Sequence, residues 1–278
     1  MSPALTASLM ILTSGMAHAV VNAILKAGKD KMSSRALIDG FSALIMLPLA
    51  FFTPLPNGAW WWLLGSFATH LVYLVCLIKA FERADMTVAY PIARGVAPAI
   101  AAAVAVGLFH EAITFWVAIG VGLVSIGVMT VGMGRKADPK AVGWAVATGM
   151  TIALYTVLDA QGVRAAPTAL SYIVWVYLFL GGGIGVMFAL WRGRTFYLAA
   201  RSEWKPGLIA GALSIVTYGL ALYAFRIGAT PRLAALRETS ILFATVIAVV
   251  FLKERMTAGR VVGVLVIAAG AATLLAAG

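Results

Sequence analysis

A chain of 278 residues that is 62% hydrophobic and only 11% charged, with a mean hydropathy of +0.98, lies far from the roughly half-apolar, quarter-charged make-up of water-soluble domains. A single cysteine, Cys76, excludes an internal disulfide and a cysteine-based metal cluster. The net charge of +11 does not point to nucleic acid, because Lys and Arg fall mostly in short loops and form no basic stripe with interleaved aromatics.

Apolar blocks long enough to cross a bilayer, about 20 residues of helix, recur along the whole chain. The sequence predicts an all-α integral membrane protein with ten spans, at about 3–25, 36–52, 60–79, 87–108, 114–133, 141–161, 168–190, 206–225, 233–252 and 257–277. The first block could pass for a signal peptide, since "ALTASLMILTSGMAHAV" ends in small residues. It lacks a basic start and similar blocks follow it, so we read it as the first span. The stretches "TPLPNG" (53–58), "RKADPK" (135–140), "AAPT" (165–168) and "ATPR" (229–232) carry the turn chemistry that interrupts helices.

Lys and Arg then set the orientation. Loops 1–2, 3–4, 5–6, 7–8 and 9–10 hold 4, 2, 3, 4 and 3 of them, whereas the other four loops hold 0, 0, 1 and 2. Positive charge marks the cytoplasmic side, so both termini are expected on the outer, periplasmic face of an inner membrane. Trp60, Trp61 and Trp62 then anchor the outer interface, and Trp144, Trp191 and Trp204 the inner one.

The second half echoes the first. With a shift of 143 residues, nine positions between 94 and 127 are identical, among them Arg94 with Arg237, Glu111 with Glu254, Thr114 with Thr257, Gly120 with Gly263 and Gly127 with Gly270. The expected units are 1–138 and 139–278. Five spans per unit is an odd number, so the second copy enters the membrane from the opposite side, related to the first by a two-fold axis in the membrane plane. Charge agrees: "LFHEAIT" has no Lys or Arg, and its copy "FLKERMT" has two. Such inverted repeats around a shared cavity suit a device that opens alternately to two sides.

The stretches "AFERADMTVAYPIARGVAPAIAAAVAVGLFHEAIT" and "YAFRIGATPRLAALRETSILFATVIAVVFLKERMTAGRVVGVLVIAAG" resemble the two EamA repeats of the drug/metabolite transporter superfamily, over essentially the whole chain. The resemblance implies a ten-helix basket with a central cavity that takes amino acids and other small metabolites. Size, general likeness and the outside termini make it most similar to the YddG-type amino-acid exporter branch. The implied partners are a small-molecule substrate and the lipid bilayer, with a single copy sufficient.

Arg94 stands alone in "AYPIARGVAP", with Glu111 the next charge. A charge at membrane depth costs at least ~2.5–3.5 kcal/mol, so it faces a partner or a wet cavity. At 1.5 Å per residue Arg94 lies roughly 10 Å from the inner side, and Arg237 about as deep from the outer side. Either both serve a gate or carboxylate-binding cavity, or each satisfies helix-end carbonyls or an acid, with Asp39 for Arg94 and Asp159 for Arg237. Glu238 is either a proton-coupling group or the partner of an arginine or backbone group.

His70 and Tyr73 share one face of the third span, and Tyr218 sits in the symmetry-related region. Tyr172, Trp175 and Phe179 form a stripe, and Tyr155 and Tyr90 add rings with polar tips. These either line a cavity for mid-sized, partly apolar solutes or pack helices. Pro91, Gly95 and Pro98 predict a kink in the fourth span. Its copy "LRETSIL" has no proline, so the halves should bend unequally. Gly181, Gly185, Gly207, Gly211, Gly259 and Gly263 have the spacing of close helix packing.

An enzyme is disfavoured. "HEAIT" begins like the zinc motif HExxH but has Thr114 at the second ligand position, only His18, His70 and His110 are present, and no nucleotide-binding glycine motif occurs. No cofactor or metal is called for. A facilitative channel, or transport of purines or quaternary amines, remains as the alternative.

Overall fold

The computed structural model describes residues 2–84, 86–132, 138–250, 253 and 256–277. Regular structure among them is entirely helical: α1 (Pro3–Ala27), α2 (Lys31–Met46) with a 3-10 extension (Leu47–Phe51), α3 (Trp60–Phe81), α4 (Met86–Phe109), α5 (Phe115–Val131) and α6 (Pro139–Ala165). The chain continues through α7 (Ala169–Val176), a π-helical stretch (Tyr177–Gly182), α8 (Gly183–Arg192), α9 (Arg194–Ile227), α10 (Thr230–Arg237), α11 (Ser240–Val250) and α12 (Ala258–Ala276). Nine segments of the described residues are long and apolar enough to cross a membrane, and α5, with 17 residues, is a shorter apolar helix.

Helix starts follow local chemistry that a hydropathy window does not register. The second predicted span begins at 31, not 36, because the Asp30 side chain accepts from the Ser33 amide and caps α2. The eighth begins at Arg194, not 206. Gly193, at φ +48, reverses the chain after α8, and the charged residues 194–205 continue as helix through Pro206.

The two halves repeat each other in local detail. Thr114 and Thr257 cap α5 and α12 with side chains that accept from Val117 and Arg260 amides, both at 3.3 Å. His110 and Lys253, also 143 apart, both adopt φ 53. Glu254, the expected mate of Glu111, with most of "FLKERMT" and half of "RKADPK", lies outside the described residues.

α5 and α12 run antiparallel with glycines in contact. A Cβ on Gly127 would stand 3.0 Å from the Gly263 carbonyl oxygen, and one on Gly263 2.7 Å from that of Gly127. Gly120 and Gly270 repeat the arrangement at 3.2 and 3.0 Å. α2 is seated the same way: Cβ atoms on Gly181 and Gly211 would lie 2.7 and 3.0 Å from the Asp39 and Ile38 carbonyl oxygens, and those on Gly185 and Gly207 3.0 Å from the Gly40 amide and 2.9 Å from Leu37 Cβ. Small residues let backbones approach where lipid supplies no hydrophobic drive between helices.

Because Gly120 meets Leu274 and Gly228 meets Ala7, both chain termini share one end of the bundle with Glu111 and the 165–168 and 228–230 turns; we call this the terminal end. The opposite end is tied by Arg192, which donates to both Asp30 oxygens at 2.8 and 3.0 Å, and by Glu203, which accepts from the Lys29 amide and the Ser34 hydroxyl at 3.2 and 3.0 Å. Burial pushes the Asp30 carboxyl up, but hydrogen bonds from Ser33 and Arg192 outweigh it and hold the group below its ordinary value.

Candidate functional site

The helices enclose an interior set of charges and rings. Arg94 on α4 is buried, with Nε 2.9 Å from Glu238 Oε2 and Nη2 donating to the Ser240 hydroxyl at 3.3 Å. The Nε contact is an ion pair and not an aligned hydrogen bond. Glu238 reaches Arg94 because the ninth span is broken. The amides of Glu238 and Thr239 bond back only three residues, to Ala235 and Leu236 at 3.0 and 3.1 Å, which tightens the end of α10 and starts α11 at Ser240. α4, with Pro91 and Pro98 inside it, runs as one helix. Gly95 seats it on α5, where a Cβ would lie 2.9 Å from the Ser125 carbonyl oxygen.

Arg237 has a different environment. Its guanidinium lies over the Tyr218 ring, 5.0 Å from the centroid. Among the described residues no carboxylate lies within 4.0 Å of it. The Tyr218 hydroxyl donates to one oxygen of the fully buried Asp159, and Tyr172 donates to the other at 2.7 Å. Asp39, in turn, pairs with Arg35 at 2.7 Å, four residues back on the same helix. Of the partners considered from sequence, Asp39 thus does not take Arg94, nor Asp159 Arg237; helix rotation and proximity on α2 decide both.

His70 stacks on Tyr155 at 3.9 Å and 25°, and Tyr73 meets Tyr155 and His70 edge-on at 5.8 and 6.4 Å. His70 Nδ1 lies 2.9 Å from the Ser66 carbonyl oxygen, which can only accept, so that nitrogen is placed to donate. Tyr90 lies 5.9 Å from Arg94. Arg35 is within electrostatic range of Tyr73 and Tyr155, and His18 of Arg35, Arg94 and Arg237. Trp175 stands apart: it meets Trp60 edge-on at 5.2 Å and Phe179 at 6.3 Å, with its indole N–H buried and unpartnered. Between Arg94, Arg237 and Glu238 runs a narrow cleft of about 10 Å³, walled by Pro98, Ile152 and Thr156, with room for little more than one water.

The model of the EamA-like transporter family matches residues 5–133 and again 139–276. The chain belongs to the EamA-like transporter family. It is therefore a multi-pass membrane protein of a transporter family, one that moves small metabolites. Its fold recurs in a solved structure, titled only as the crystal structure of a protein. That structure superposes with a TM-score of 0.72 over 97% of this chain and 95% of that one at 16% identity, a likeness of fold alone. None of the curated proteins matches the sequence.

In this EamA-like chain the terminal end is closed by a knot that the sequence reading did not single out. Glu111 accepts from Arg164 Nη1 at 2.6 Å and from the amide and hydroxyl of Thr230, both at 2.8 Å. Arg164 also donates to the carbonyls of Phe225 and Gly228 at 2.9 and 2.8 Å, and Arg226 to those of Val163, Ala166 and Pro167. The sequence signals were scarcity and the repeat: Arg164, Arg226 and Arg232 are the three cations of loops that otherwise lack Lys and Arg, and Glu111 matches Glu254. Glu111→Gln removes charge-assisted bonds of the kind that contribute ~1.5–3 kcal/mol. In a Cys76→Ala background it should raise thiol labelling of Thr156→Cys from the terminal side at least about tenfold. Unchanged labelling would mean that the knot does not close this end.

Proposed function

We propose that this protein is a secondary transporter that exports amino acids, aromatic or otherwise apolar, across the inner (cytoplasmic) membrane by alternating access. In this reading it crosses ten times as two inverted five-helix repeats, 1–138 and 139–278, with both termini on the periplasmic side.

The observation that carries the substrate is Arg237. It is a guanidinium at the interior cleft whose one described contact is an aromatic face, and its paired N–H donors match a carboxylate. The rings of His70, Tyr73, Tyr90 and Tyr155 supply flat apolar surface with polar edges for the rest of such a solute. A quaternary amine has nothing to offer the free cation.

Alternation is supported by the α5–α12 contacts: Gly120 against Gly270 becomes Gly263 against Gly127 under the 143-residue relation, as a two-fold axis requires. In the same sense, α4 ends at the terminal end, whereas its copy, α10–α11, begins there. Export is supported by access. The terminal end is knotted, while the Arg35 side chain near the other end is 50% exposed, on the side where loop charge places the cytoplasm.

Counterflow in liposomes tests the reading. Labelled aromatic amino acids should exchange against internal substrate, which a channel would not do, and the matching decarboxylated amines and purines should not compete. Arg237→Gln should lower exchange by about 10–100-fold, the worth of a charge-assisted pair of bonds, with Arg237→Lys in between. Amines exchanged as well as amino acids, or an unimpaired Arg237→Gln, would remove carboxylate recognition from the account.

A further inference from the structure

Outside the interior cleft, the terminal end holds a cation that the proposed transport site does not include. A groove of about 370 Å³ lies between the start of α1 and the α9–α10 junction, with Ser2, Ala4, Ala7, Gly228 and Arg232 on its walls. Arg232 is only 8% exposed. Its Nη2 donates to the Ser8 hydroxyl at 2.9 Å, and that hydroxyl donates onward to the Ala4 carbonyl at 2.8 Å. Its Nε is buried with no partner. Among the described residues no acid pairs with it, and no charged group lies in electrostatic range.

Every other interior charge among the described residues is matched or cushioned. Arg94 has Glu238, Arg35 has Asp39, Asp159 has two tyrosines, and Arg237 has a ring face. Arg232 has one neutral hydroxyl for five donors. Taking a cation out of water costs several kcal/mol unless an opposite charge answers it. The groove adds a second positive feature, the N-terminus of the 25-residue α1 at Ser2–Ala4. Two positive features thus face one space with no acid between them.

We propose that this groove binds a single oxyanionic group, a phosphate or a carboxylate, on Arg232. Its volume suits such a group together with a few carbons. Arg232 is the third residue of a segment apolar and long enough to span a membrane, and cationic side chains near the ends of such helices reach the headgroup level. The anion can therefore come from a phospholipid in the bilayer or from a solute in the water.

Two titrations of the full-length, delipidated protein in neutral detergent separate these sources, one with inorganic phosphate or acetate and one with phosphatidylglycerol. In each the melting temperature is followed for the wild type, Arg232→Gln and Ala4→Leu. Ala4→Leu fills the groove while retaining the arginine and its hydroxyl partner, so it carries the test if Arg232→Gln fails to fold. We expect saturable stabilisation of the wild type, with a midpoint at least about tenfold higher in both variants. Response to phosphatidylglycerol alone assigns a lipid, and response to the small anions as well assigns a solute site. No saturable response of the wild type to either, or equal midpoints in all three proteins, overturns the proposal.

Discussion

Gly263→Leu is expected to prevent α5 and α12 from docking, with a cost of ~3 kcal/mol or more. Overpacking a tight interior by a few methylenes already costs ~1–3 kcal/mol when side chains can yield. Here the obstacles include backbone: beside Val131 Cγ2 at 2.6 Å stand the Gly127 carbonyl oxygen at 2.7 Å and the Val131 amide nitrogen at 2.8 Å from the first added carbon. A helix cannot yield locally, so the whole pair must separate and lose the dispersion contacts that hold it in lipid. Gly127, the contact partner of Gly263, should carry a similar penalty: the Cβ of Gly127→Leu meets the Ile267 amide at 2.8 Å and the Gly263 carbonyl at 3.0 Å. Gly122→Leu, on the same α5 but with nothing within 4 Å, should be neutral. Monodisperse yield and melting temperature in detergent check all three. A well-behaved Gly263→Leu protein would show that these glycines do not set the helix separation.

The second large effect is expected at Glu238. Its side chain is 4% exposed and that of its partner Arg94 8%. Glu238→Gln leaves the arginine buried without an opposite charge, a change worth ~3–5 kcal/mol in comparable pairs. The double variant Arg94→Gln/Glu238→Gln removes both charges and should recover most of that loss, so the two single effects should fail to add by about 2 kcal/mol or more. Melting temperatures of the four proteins measure this directly. The same variants address coupling. If Glu238 serves only as the counter-ion of Arg94, transport by the double variant keeps whatever dependence on a proton gradient the wild type shows. Loss of that dependence with retained counterflow would instead make Glu238 the proton carrier. Additive single effects would dissolve the pair altogether.

What could be read from the sequence were quantities that sum over many residues. Apolar character over about 20 positions marks a membrane helix whatever its neighbours are, and a 143-residue echo in Thr114 and Thr257 is legible because each copy answers the same local demand for a helix cap. The matching Thr caps and the shared φ of 53 at His110 and Lys253 are those demands made visible. Close-packing glycines could be picked out by spacing alone, as Gly181, Gly185, Gly207, Gly211 and Gly263 illustrate.

Partnerships among charges were beyond it. Arg94, Arg237 and Arg35 faced Asp39, Asp159 and Glu238 at similar depths, and a few tens of degrees of helix rotation decide which acid each can touch. Arg35 had been counted with the loop cations because apolarity starts later than the helix does. Glu238 came within 2.9 Å of Arg94 through a break in a segment with no internal proline, where i to i−3 bonding turns the chain at Glu238 and Thr239. The Glu111–Arg164–Thr230 knot joins residues more than 100 positions apart at its ends. Composition therefore determined that the chain lives in lipid, and the residue-by-residue echo that it is built twice. Tertiary structure alone decided which charge is left free, because that depends on contacts of a few ångströms between helices remote in sequence.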